Sequence, residues 1–159
     1  MTGREPPGDR LARAAHVNVL IAGNRFADDM ERVCRTEGIS HAQYVTLWVL
    51  CLADDVDAGL PMRELADGLL NRASDTTRLV DRLVAGGLAE RGPDPTDRRV
   101  VRVRSTPEGQ ALFARLAPKV RDLHAQEWQG LTTAELTELH RLLAKALWSG
   151  GDDGPPALG

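Results

Sequence analysis

Arginine outnumbers lysine eighteen to two in this chain, and the arginines whose spacing could do chemistry lie between Arg72 and Arg104. A guanidinium is charged at every accessible pH and presents a planar fork of donors that fits the guanine edge in a major groove, or a phosphate. Two groupings stand out. Ser74, Thr77, Arg78 and Arg82 recur at helical spacing, and Asp97, Arg98 and Arg99 follow a stretch rich in Pro and Gly. The chemistry such residues suit is recognition of double-stranded DNA. The whole-chain charge of −3 argues against a phosphate-binding protein, but its distribution reverses that argument. Residues 72–104 hold eight arginines and five acids, a balance of +3, so the remainder of the 159-residue chain carries −6. A basic head on an acidic frame binds DNA in one orientation, because the frame is repelled by phosphate.

Other chemistry finds little support. His16, His41, His124 and His140 stand at no metal-ligand spacing; His124 and Glu127 share a helix face but lack a third partner. No glycine-rich phosphate loop, G-x-S-x-G or H-E-x-x-H motif occurs, and Asp54, Asp55 and Asp57 fall in a turn. The expectation is a non-enzyme with no metal and no cofactor. Cys34 and Cys51 are too few and too far apart for a disulfide framework, which points to a reduced, cytoplasmic protein. Arg32 and Arg35 beside Cys34 favour a thiolate, whereas Cys51 sits in an apolar run, so a redox-sensing role remains an alternative to two inert buried thiols. No secretory signal or membrane span is expected.

The elements that must position these residues follow from periodicity. Residues 1–9 and 149–159 read as disordered ends around one domain spanning 10–148. A long helix runs from Leu11 to about Arg35, and Ser40-His41-Ala42-Gln43 forms a capping box ahead of a second, to about Ala53. Pro61 is expected to open a short third helix as its first residue. A fourth covers about Arg72 to Ala85 and is stopped by Gly86-Gly87. The period then changes to two: Leu88–Arg91, a turn over 92–97, and Arg98–Arg104 predict a β-hairpin. Thr106-Pro107 starts a fifth helix with the stripe Leu112, Leu116, Val120 and Leu123. Thr132 to Glu135 caps a sixth, with the stripe Leu136, Leu139, Leu143 and Leu147.

The predicted fold is mainly α (α+β): six helices with a two-stranded β-wing, a winged helix-turn-helix over about 61–106 within an α-helical homodimer. Helices over about 10–36 and 107–148 have stripes that a partner subunit would bury. On the fourth helix, at about 100° per residue, Thr76, Leu79, Val80 and Leu83 share one side, and Arg78 and Ser74 lie opposite with Thr77 and Arg82 on the flanks. Arg98 and Arg99 on a narrow tip suit a minor groove, with Asp97 orienting the fork of Arg99.

The stretch 65–109 resembles the winged helix-turn-helix of the MarR family of bacterial transcriptional regulators. Thr77-Arg78-Leu79-Val80-Asp81-Arg82-Leu83, Gly87-Leu88, Asp94-Pro95-x-Asp97-Arg98-Arg99 and Thr106-Pro107-x-Gly109 carry the likeness, and the helix order extends it over about 10–148. Ser105 stands where Leu is usual, Leu69 to Arg72 where many members have Gly-Val, and Thr76 where an apolar residue is common. The resemblance implies a bacterial, cytoplasmic and nucleoid-associated repressor. Its homodimer is built by the first, fifth and sixth helices, and its release from DNA is controlled by a small-molecule effector. His16 and Trp48 are candidates to line the effector cavity. A helical dimer that keeps the fold but acts through protein contacts is the competing class.

Overall fold

In the computed structural model the chain is described over residues 7–53, 55–69 and 73–148, the side chains of 7, 73–75 and 148 excepted. The first helix, α1 (Pro7–Arg35), starts ahead of the Leu11 expected from periodicity. Proline at an opening turn has its φ preset, and Asp9 in the same turn suits the positive helix end. Residues 7–9 are therefore helical, not part of a disordered end. Helix α2 (His41–Cys51) carries the full capping box: the Gln43 amide donates to Ser40 Oγ at 3.2 Å, and the Ser40 amide to Gln43 Oε1 at 3.0 Å.

Pro61 is not the first residue of a helix. Leu60–Pro61 forms a short strand, β1, and α3 (Met62–Gly68) follows it. Two residues are too few to show a period, and a proline without an N–H is tolerated at the sheet edge that β1 occupies. The hairpin consists of β2 (Ala89–Pro93) and β3 (Val101–Ser105), and the sheet order β1-β3-β2 gives three antiparallel strands where two are predicted. Pairing runs from Ala89 opposite Ser105 to Pro93 opposite Val101. Arg98, Arg99 and Val100 thus belong to the tip, not to the returning strand. The Asp94 amide donates to the Val100 carbonyl, and the Val100 amide to the Asp97 carbonyl, both at 2.9 Å, and these bonds turn the chain before the ladder begins.

Between α3 and the hairpin lies α4 (Ala73–Ala85). Gly87, at φ 70°, ends it: the Leu88 amide reaches the Leu83 carbonyl at 2.9 Å and the Gly87 amide the Val84 carbonyl at 3.0 Å, a Schellman closure. Helix α5 (Pro107–Glu127) opens on Thr106, whose hydroxyl accepts from the Gly109 amide at 3.1 Å and donates to the Gly87 carbonyl at 2.6 Å. The same side chain therefore caps α5 and fastens it to the end of α4. Helix α6 (Thr133–Trp148) starts on a second reciprocal cap between Thr132 and Glu135.

Two apolar cores meet along α2, whose sequence is apolar on nearly every side, as a helix buried on two faces requires. Tyr44 and Leu47 pack with Met30 and Cys34 of α1 and Leu112, Leu116 and Val120 of α5. Leu50 packs with Leu65, Val80, Leu83, Ala89 and Val103 of the winged unit. The outer half of α1 leaves Leu11, Val17, Val19, Leu20 and Ile21 exposed, and α6 leaves Leu136, Leu142 and Leu147 exposed.

Candidate nucleic-acid interface

Helix α4 divides as its wheel predicts. Thr76, Leu79, Val80 and Leu83 are buried, and Thr77, Arg78, Asp81 and Arg82 are exposed. Ser74 lies in the first turn of α4, and its side chain is outside the described residues. No hydrogen bond or ion pair engages the guanidinium groups of Arg78 and Arg82 among the described residues. Helix α4 is fixed to the wing by Arg91, which donates to Asp81 Oδ1 at 2.6 Å and to the Thr77 carbonyl at 3.4 Å.

The wing tip is organised by Asp94, which is 92% buried as a side chain and is not among the predicted site residues. Its Oδ1 accepts from the Thr96 hydroxyl at 2.6 Å and from the amides of Thr96 and Asp97 at 2.8 and 3.1 Å. Oδ2 accepts from Arg102 Nε at 2.5 Å. The Thr96 hydroxyl first, then the Arg102 guanidinium and the two amides, hold this carboxyl well below the usual carboxylate range. Asp97 acts differently from expectation. Its Oδ1 accepts from the backbone amide of Arg99 at 2.9 Å, so it sets the backbone under Arg99 and leaves the fork untethered. Arg98 and Arg99 are exposed, with no side-chain partner among the described residues.

The other two arginines of the returning strand are structural. Arg102 bridges Asp94 and the Gly59 carbonyl, and Arg104 bridges Glu90 Oε1 at 2.7 Å and the Asp57 carbonyl at 3.2 Å. The motif Asp94-Pro95-Thr96-Asp97 signals such a side-chain-to-amide turn in the sequence. Nothing there signals Arg91, whose partner Asp81 is on another element. Ser105, which replaces the usual Leu, is buried at the wing base, where its hydroxyl meets Gln110 Nε2 at 3.4 Å and engages Cys51.

Neither His16 nor Trp48 lines a described cavity. His16 is exposed on α1 and Trp48 half-buried on α2. A cleft of about 490 Å³ is lined instead by Cys51, Asp55, Val56, Asp57, Gln110 and Phe113, beside the winged unit. A second, apolar cleft of about 370 Å³ between α1 and α6 is lined by Val19, Ala22, Phe26, Trp128, Leu139 and Leu143 among others. Cys34 is fully buried, and burial, then the Glu31 charge, pushes its thiol up to about 11. The arginines beside it in sequence are turned away, Arg32 to Asp29 and Arg35 to Glu31, each at 2.7 Å. Burial also raises the Cys51 thiol. Among the described residues no three His, Cys, Asp or Glu could hold a metal ion, and no helix is long and apolar enough to cross a membrane.

A short helix pair with an exposed polar α4 face, followed by a wing with two untethered guanidiniums, defines a winged helix-turn-helix protein. A MarR family model matches residues 37–100. The uncharacterized HTH-type transcriptional regulator YsmB of Bacillus subtilis is 32% identical over 108 residues, which cover 67% of this chain and 70% of that protein. The HTH-type transcriptional repressor IacR of Pseudomonas putida is 28% identical over 75% of this chain and 69% of its own length. A crystal structure of a mutant MarR from Escherichia coli complexed with operator DNA superposes with a TM-score of 0.77 at 27% identity, covering 90% of this chain and 99% of that one. The chain belongs to the MarR family of transcriptional regulators.

Proposed function

We propose that this chain is a homodimeric repressor that binds a pseudo-palindromic operator with half-sites about one helical turn apart. Ser74, Thr77, Arg78 and Arg82 address the major groove from α4, and Arg98 and Arg99 enter the minor groove, with Asp97 shaping the backbone beneath them. The observation that carries this reading is the sorting of the arginines. Arg91, Arg102 and Arg104 are spent on carboxylates, while Arg78, Arg82, Arg98 and Arg99 have no protein partner among the described residues. A charge-assisted hydrogen bond is left for a ligand to complete, and a MarR mutant from Escherichia coli complexed with operator DNA superposes on this fold.

The homodimer is supported by the large apolar residues that α1 and α6 leave exposed in one chain, among them Leu20, Ile21, Leu142 and Leu147. A small-molecule effector controls release from a cleft beside the winged unit, and the protein works at the bacterial nucleoid in the cytoplasm. The domain spans 10–148, with the winged unit over about 61–106. The test is a titration of labelled duplex from the region upstream of its own gene, with excess unrelated DNA, at two salt concentrations. Saturable, salt-sensitive and sequence-preferring binding by a dimer is expected. Binding that the unrelated DNA abolishes at equal concentration refutes the proposal and favours a protein-interaction role.

A further inference from the structure

We infer that Arg102 is the positioning residue of the wing: it straps the tip to the loop ahead of β1 and so holds Arg98 and Arg99 where DNA meets them. The inference rests on the reading of the wing as DNA-binding. The β2–β3 ladder ends at Pro93 and Val101, and residues 94–100 extend beyond it without strand pairing. The third strand, β1, pairs only with Arg102 and Val103, so a tip of that length needs another tether to keep one direction. Arg102 supplies it, with Nε on Asp94 Oδ2 at 2.5 Å and Nη1 on the Gly59 carbonyl at 2.7 Å, joining segments 43 residues apart in sequence.

Each end of the strap is itself fixed. At one end, the second oxygen of Asp94 holds Thr96 and the Asp97 amide, and the Asp97 carboxylate holds the Arg99 amide. The contact therefore passes from Arg102 to the backbone of Arg99 through two carboxylates. At the other end, Gly59 sits at φ 69°, and a Cβ there would land on the Val103 carbonyl oxygen. Its backbone is pressed against β3 and cannot drift. Arg104 adds a parallel tie to the Asp57 carbonyl at 3.2 Å. The Arg102 fork points into this bridge and not away from the tip, so its effect on DNA is exerted through Arg98 and Arg99. A pre-set tip loses less freedom on binding than a wandering one.

The test uses the full-length chain and a duplex that the wild type selects from a random-sequence library. Arg102→Leu is expected to weaken binding on the order of tenfold, the cost of ordering one tip in each half of the dimer. The dependence on salt should stay as in the wild type, since no phosphate contact is removed. Arg102→Lys, which can still meet Asp94, recovers part of the loss. In an Arg98→Ala, Arg99→Ala background, Arg102→Leu has no further effect.

Unchanged affinity of Arg102→Leu overturns the inference. So does a loss that persists in the double-Ala background: with a shallower salt dependence Arg102 touches DNA itself, and with a lowered Tm it serves only the fold. If the double-Ala protein binds like the wild type, the tip does not read DNA and the inference falls with that assignment, while α4 binding stands. If the wild type selects no duplex, the proposed function fails first and the strap has nothing to position.

Discussion

Thr76 is 1% exposed in the packed face of α4, and its hydroxyl has no hydrogen-bond partner among the described residues. A buried polar group left unpaired costs about 1–3 kcal/mol. Thr76→Val keeps the branched shape, and the two residues have nearly equal helix propensity, so the backbone contributions nearly cancel. What remains is relief of the hydroxyl's desolvation plus burial of a methyl against Val80 and Leu83. The expected gain is about 1–2 kcal/mol, at the lower end of the penalty because partial relaxation already recovers some of it. For a chain of this size that corresponds to a rise in Tm of about 2–4 °C per kcal/mol. Urea unfolding followed by circular dichroism, at matched protein concentration because dimerisation adds to apparent stability, reads it directly. Thr76→Ser, which keeps the hydroxyl and removes the methyl, should lose stability. DNA affinity should not change in either variant, since the side chain faces the core. A Val variant less stable than the wild type would refute the reasoning, because it would show that the hydroxyl is paired.

Arg99→Ala should weaken operator binding by about 1–3 kcal/mol per reading head at fixed salt, measured by fluorescence anisotropy; an unchanged Kd removes Arg99 from the interface. Cys34, buried and with its thiol pushed up to about 11, should react with a disulfide reagent at mildly alkaline pH only as fast as the protein opens. Rapid stoichiometric labelling of that thiol in the folded dimer would revive the redox alternative. The His41 imidazole is pulled below its ordinary 6.5 by burial, against the attraction of Glu31 and with the repulsion of His124. The unfolded chain therefore takes the proton first, so the stability owed to neutral His41 is present above about pH 6.5 and is lost as pH falls from there through the lower value of the folded imidazole. His41→Gln should flatten the slope of unfolding free energy between about pH 7 and 5, and an equal slope in both proteins would contradict the assignment.

What was legible in the sequence is what depends on local rules. The capping boxes at Ser40 and Thr132, the α4 face that buries Leu79 and Leu83, and the Gly87 stop all follow from neighbours within one turn. The strand β1 was not legible, because its existence depends on pairing Leu60 with Val103, a contact no periodicity over two residues reports. The same limit explains the wing. Arg99, Arg102 and Arg104 look alike as residue types in an alternating stretch, and only the positions of Asp94, Glu90 and the 57–59 carbonyls separate the untethered one from the two that are bound. The placement of Asp97 beneath the Arg99 amide, and not against its fork, is likewise a matter of loop geometry.

That separation changes what the charge of the winged unit means. Of the eight arginines between 72 and 104, three are neutralised in place: Arg91 by Asp81, Arg102 by Asp94 and Arg104 by Glu90. The +3 of the segment is therefore not spread over it. It falls to the residues around α4, where Arg72, Arg78 and Arg82 outnumber Asp75, and to the tip, where Arg98 and Arg99 outnumber Asp97. Positive potential is concentrated at the two elements that a duplex would meet, while the sheet between them is held rigid by paired charges. The exposed pairs of Arg91 with Asp81 and Arg104 with Glu90 add little to stability, each about 0–1 kcal/mol, and only the Arg102 pair, with Asp94 buried, is shielded from solvent. Their value here is positional, since Arg91 ties the wing to α4 and Arg102 ties the tip to the loop ahead of β1. A protein that used its arginines for stability alone would have no reason to leave Arg78, Arg82, Arg98 and Arg99 with no acidic partner among the described residues.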